Sequence, residues 1–123
     1  MMTRADIPTS YDEAVGLVGG ENGRKTICNN TVVEVSKPMN TAYYGGQGLA
    51  YVLLHGHNVV AFREDGSVRI DSCGWRTVTT KDRINRCLGS RGSVFQKNRE
   101  WFYRARYGMV IPFRDGLVVD VSE

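Results

Sequence analysis

The chain reads as a single small α+β domain, mostly antiparallel β hairpins and a meander of about seven strands, with two short helices. Three observations predict this. Short runs rich in valine, isoleucine, tyrosine and phenylalanine recur between turn dipeptides such as Asn29-Asn30, Asp65-Gly66 and Asn98-Arg99. Two other segments, Ser10 to Val18 and Thr79 to Leu88, carry helix caps and a helical apolar stripe. Finally, 123 residues with 41% apolar character suffice to fill one core, and no linker or internal repeat divides them.

Ser10-Tyr11-Asp12-Glu13 has the form of a capping box, in which the Ser10 hydroxyl accepts from the Glu13 amide and the Glu13 side chain returns to the Ser10 amide. A helix over about 11–18 follows, with Ala14, Val15 and Val18 as its stripe and Gly19-Gly20 as its stop. Arg24 to Cys28 and Thr31 to Ser36 form a hairpin across Asn29-Asn30, because asparagine tolerates the positive φ of a tight turn. Tyr43-Tyr44-Gly45-Gly46-Gln47-Gly48 does not lead from a strand into a helix, so it is a connector rather than a phosphate-binding loop.

Leu49 to His55, Asn58 to Glu64 and Ser67 to Ser72 make a meander that turns at Gly56-His57 and Asp65-Gly66. A helix capped by Thr79 or Thr80 runs to about Leu88, with Ile84, Cys87 and Leu88 inward and Lys81, Arg83 and Arg86 outward. The last third reads as two hairpins. Ser93 to Lys97 pairs with Glu100 to Tyr107, and Met109 to Phe113 pairs with Leu117 to Val121 across Arg114-Asp115-Gly116. Pro112 removes a ladder donor and places its strand at an edge or a bulge.

No run approaches the roughly 18 to 20 apolar residues of a membrane span, and the N-terminus lacks the apolar core of a signal peptide. A cytoplasmic protein with no membrane partner is expected. Three cysteines, Cys28, Cys73 and Cys87, form no paired framework, which argues for reduced thiols. The net charge of +3 is unevenly spread, with 11 basic and 5 acidic residues between 63 and 106. Clustered cations beside aromatics are the footprint of a nucleic-acid surface, though a solvated face has the same composition.

Three constellations could carry chemistry. His55 and His57 would share a face of a continuous strand and could hold a metal with Cys73 or Asp71, but no second ligand pair exists, and a turn at Gly56-His57 would separate them. A small Cys/His hydrolase would use Cys73 as nucleophile, His55 or His57 as base and Asp71 as orienter. Neither reading is favoured, and no metal, cofactor or catalytic residue is expected. The third is a surface on which Phe102, Arg104 and Arg106 share one strand face while Trp101, Tyr103, Ala105 and Tyr107 share the other. An aromatic ring between guanidinium groups suits a single strand of nucleic acid, with Arg76, Lys81, Arg83 and Arg86 extending the surface. The bland alternative is a core Phe102 with arginine stems lying over it. A purely protein-binding inhibitor anchored by exposed Tyr43, Tyr44 or Trp101 is a further option.

From Leu53 to Leu88 the chain looks like a group of small uncharacterised proteins of bacteriophages and related mobile elements. The shared pattern falls on Leu54-His55-Gly56, Asp65-Gly66, Ser72, Gly74-Trp75, Thr77 to Thr80 and Arg83-Ile84-Asn85, and the run FQKNREWFY is similar too. The resemblance covers about the last 70 to 75 residues, dividing the domain into a helix and lead-in over 1–22 and a phage-type core over 45–123. It implies no catalytic residues. It does imply a virus-encoded accessory protein acting in the cytoplasm of a host bacterium, and together with the basic middle of the chain the expectation is a non-enzymatic protein that binds nucleic acid or a host nucleoprotein complex, including as an inhibitor of a defence system such as CRISPR. Exposed hairpin edges such as Met109 to Phe113 could also pair two copies across a two-fold axis. In this setting SCGWRTVTT, residues 72–80, reads as a strand-to-helix corner in which Gly74 permits the bend and Trp75 packs against the core.

Overall fold

A computed structural model describes residues 7–20, 22–28, 30–37 and 48–119. The connector with Tyr43 and Tyr44 lies outside them, as do Asn29 and residues 120–121 of the last expected strand. Among the described residues there are two α-helices and nine strands, the strands in two antiparallel sheets, so the α+β class holds with slightly more strands than the expected seven or so.

The larger sheet has the order β1-β2-β3-β4-β5-β9. Its strands are β1 (Arg24–Cys28), β2 (Thr31–Ser36), β3 (Leu49–Leu54), β4 (His57–Arg63), β5 (Val68–Ile70) and β9 (Leu117–Val119). Alternation decides its burial: Val33 pairs with Val52, Val52 with Val60 and Val60 with Ile70, which gives one face a continuous apolar row. A bulge between Val52 and Leu53 leaves Val59 opposite no partner, and both Val59 and Val60 are buried there. Helices α1 (Tyr11–Val18) and α2 (Val78–Leu88) complete the core, α1 against β1–β3 and α2 against β4, with Tyr11, Ala14, Ile84, Cys87 and Leu88 in one cluster with the sheet.

The helix ends follow local chemistry. Ser10 accepts from the Glu13 amide at 3.1 Å, and Gly19 closes α1 in the left-handed region at φ 82°. The reciprocal half of the box is replaced: the Glu13 carboxylate receives the Thr9 hydroxyl. Thr77, not Thr79 or Thr80, caps α2, accepting from the Thr80 amide at 3.2 Å. The helix therefore begins at Val78 and turns Thr80 into the core.

The smaller sheet has the order β6-β7-β8, from β6 (Gly92–Lys97), β7 (Glu100–Ala105) and β8 (Val110–Pro112). Asn98 and Arg99 form the two-residue turn between β6 and β7, both at positive φ (53° and 67°). Gly92 starts β6 where a Cβ would stand 2.4 Å from the Arg104 carbonyl oxygen, so no larger residue fits. Pro112 lies in an edge strand. The expected hairpin of Met109 to Phe113 with Leu117 to Val121 does not form: β8 pairs with β7, and β9 crosses to pair with β5. The cause is apolar burial, since Val119 joins Val68 in the core while the β8 edge stays exposed.

Sheet pairing does not connect the two sheets. Helix α2 does, through Asn85, whose side-chain amide donates to the Val94 carbonyl at 2.9 Å while its Oδ1 accepts from the Val94 amide at 2.6 Å. Replacing Asn85 with Ala leaves a buried N–H and C=O unpaired, so Asn85→Ala is expected to cost about 2–3 kcal/mol in urea unfolding. A loss below about 0.5 kcal/mol would show that the clasp is dispensable.

Candidate nucleic-acid interface

Beta pairing sorts the side chains of β6–β8 into two faces. Val94, Trp101 and Tyr103 are buried on the inner face toward α2. On the outer face the register aligns Ser93 with Arg104 and Val110, Phe95 with Phe102 and Pro112, and Lys97 with Glu100. Phe95 and Phe102 are half-buried and stack with centroids 5.6 Å apart, and the Arg104 guanidinium lies 4.8 Å from the Phe95 centroid. Phe102 and Arg104 thus share this outer face, and Phe95 lies on it as well. A cross-strand register is needed to see Phe95, because its distance in sequence from Phe102 carries no signal.

Arg106 is displaced from the expected strand into the β7–β8 turn, where Gly108 takes φ 97°. Its guanidinium lies 5.5 Å from the centroid of Tyr107, which is 80% exposed. Among the described residues, Lys97, Arg99, Arg104 and Arg106 form no ion pair with a carboxylate. Residues 89–114 hold six basic side chains and one acidic, so this sheet carries most of the excess charge.

The helix cations are placed differently. Arg83 is not outward: its side chain is 13% exposed, its Nε donates to Thr31 Oγ1 at 2.9 Å, its NH2 group donates to Asn30 Oδ1 at 3.2 Å, and it pairs with Asp82. It ties α2 to the β1–β2 hairpin. Arg86 donates to both carboxylate oxygens of Asp82 at 3.0 Å. Arg76 and Lys81 sit over the buried Trp101, 5.6 and 5.8 Å from its ring centroid, and Arg76 also covers Phe113 at 5.4 Å. Trp101 is 3% exposed and is no surface anchor.

The corner at Ser72 to Thr77 is a tight turn in which the Trp75 amide donates to the Ser72 carbonyl at 2.8 Å. Cys73 as well as Gly74 takes positive φ (54° and 81°), and Asp71 holds it there by accepting from the Cys73 amide at 2.6 Å. Trp75 does not pack into the core: it is 58% exposed, beside His57 at 6.0 Å. His55 and Gly56 form the turn, both at positive φ, and His57 opens β4, so the histidines lose their common strand face. No group of three or more metal-binding side chains occurs among the described residues. The Cys73 thiol donates to the Asn58 carbonyl at 3.2 Å, and burial, followed by the Asp71 carboxylate, pushes its pKa up from the ordinary thiol value. A nucleophile needs the opposite shift.

Residues 17–120 match the family described as Kyanoviridae Gp96 protein. The chain belongs to that family. It is thus a bacteriophage protein, as the Leu53-to-Leu88 resemblance implies. Neither the curated proteins nor the solved structures contain a match to the chain. Among the described residues of this Gp96-family chain no helix is long and apolar enough to cross a membrane.

The raised thiol gives a direct test. At pH 7, Cys73 is expected to react with iodoacetamide more slowly than an unstructured cysteine peptide, and its rate should climb at a higher pH than the peptide's. Fast labelling at pH 6 would return Cys73 to candidacy as a nucleophile.

Proposed function

We propose that this Gp96-family chain is a non-enzymatic phage accessory protein that binds single-stranded nucleic acid, free or displayed by a host nucleoprotein complex, in the cytoplasm of the host. The observation that carries this is the outer face of β6–β8. Two stacked rings, Phe95 and Phe102, share that face with Lys97 and Arg104, with Arg99 and Arg106 in the turns at its ends, and these four cations have no carboxylate partner among the described residues. Bases stack on such rings and phosphates meet such cations, whereas a duplex would hide its base faces. Arg76 and Lys81 lie over Trp101, on the inner side of the sheet, and Arg83 and Arg86 are committed to internal bonds.

At φ 67° Arg99 occupies the second position of a turn whose preferred sequence is Asn-Gly, and a left-handed conformation costs a side-chain-bearing residue about 1 kcal/mol or more.

The test is fluorescence anisotropy with labelled single-stranded DNA and RNA. Four phosphates neutralised by Lys97, Arg99, Arg104 and Arg106 give a log–log salt slope of about −3, or roughly a 50-fold loss between 50 and 200 mM salt. Arg104→Glu with Arg106→Glu should weaken binding at least about tenfold, Phe102→Ala by about 1–3 kcal/mol, and Arg86→Ala hardly at all. Arg99→Gly should raise the melting temperature and weaken binding together. Affinity independent of salt and of Arg104 would reject the interface.

A further inference from the structure

Outside the sheet platform, the chain forms an open cavity of about 330 Å³ between the β3–β4 turn and the corner before α2. That volume stands at the lower end of the roughly 300–1,000 Å³ typical of small-molecule sites. Leu54 and Val59 supply apolar walls, Thr79 and Thr80 line it from the first turn of α2, and His57 and Trp75 add two rings. Their centroids are 6.0 Å apart and their planes tilt by 36°, which leaves ring faces available to a planar guest.

The polarity of the lining narrows the ligand. No lysine, arginine, aspartate or glutamate lines the cavity, so its guest is neutral. Ser72 and Thr80 use their hydroxyls internally, Ser72 on Asp115 at 2.7 Å and Thr80 with Thr77 at 3.0 Å. The Thr79 hydroxyl, both imidazoles and the Trp75 indole N–H make no hydrogen bond within the described protein and can read the edge of a heterocycle.

We infer that this cavity holds one neutral heteroaromatic ring of the nucleobase class, stacked on Trp75. Its source is either a free nucleoside or a base turned out of a single strand. A ring of this class has an apolar face for Leu54, Val59 and Trp75 and a donor–acceptor edge for Thr79 and the imidazoles. The site is independent of the β6–β8 face, and each can fail without the other.

The experiment is titration of the ¹⁵N-labelled protein with adenosine, guanosine, cytidine and uridine, followed by amide chemical shifts. At least one nucleoside should shift amides of residues 54–59 and 72–80. Trp75→Ala should weaken that binding about tenfold, and Trp75→Phe should restore most of it. Because Trp75 is 58% exposed, its replacement is expected to leave the melting temperature nearly unchanged, which separates lost binding from lost folding. An unlabelled single-stranded oligonucleotide that displaces the nucleoside assigns the base to a strand; one that does not assigns it to a free nucleoside, and both results uphold the site. No shift at these amides with any of the four nucleosides at millimolar concentration would overturn the inference, as would equal affinity in Trp75→Ala.

Discussion

The Asn85 side chain is the constraint on which the rest of the structure depends, because it makes an α-helix behave as a strand neighbour. Its amide and carbonyl pair with the N–H and C=O of Val94, much as a backbone would. The smaller sheet gains a fixed position against α2 without joining the larger sheet's ladder. Ile84, Cys87 and Leu88 on the same helix reach the core, so both sheets are referred to one rigid element. Tyr103 adds a second tie, donating to the Arg91 carbonyl at 2.9 Å just past the helix end.

Burial and pairing, rather than charge count, divide the cations by role. Asp82 is the acidic residue of α2, and it holds Arg86 and helps hold Arg83, which then bonds to Thr31 and Asn30. Those arginines brace the fold. In the smaller sheet Glu100 is the sole acidic residue against Lys97, Arg99, Arg104 and Arg106, so the local field stays positive over half-buried rings. Arg104 stacked on Phe95 keeps its donors at the surface while its stem covers apolar area, which joins the functional and the packing readings of that strand in one arrangement.

The corner that precedes α2 shows how a reactive residue type can serve geometry. Cys73 occupies a left-handed position that Asp71 stabilises by accepting its amide hydrogen, and the same carboxylate disfavours a thiolate beside it. Asp115, arriving from the β8–β9 connection, accepts from both the amide and the hydroxyl of Ser72 at 2.8 and 2.7 Å. The end of the chain thereby locks the corner and places Trp75 beside the cavity.

What the sequence determined by itself was local: α1 with its Ser10 cap, the existence of α2 though not its cap, both strands of the first hairpin with their boundaries, and the turns at Asp65-Gly66 and Asn98-Arg99. These rest on caps, positive-φ residues and two-residue alternation, which act over a few positions. The face shared by Phe102 and Arg104 was legible for the same reason. Only the tertiary structure decided that β9 pairs with β5 and that Phe95 lies opposite Phe102. It also decided that Arg83 turns inward, that Trp101 is buried and that Trp75 is exposed. Each of these depends on which distant segment supplies a register, a carboxylate or an apolar surface. Trp75 and Trp101 have the same side chain, and opposite placements follow from whether α2 and Phe113 lie over the ring.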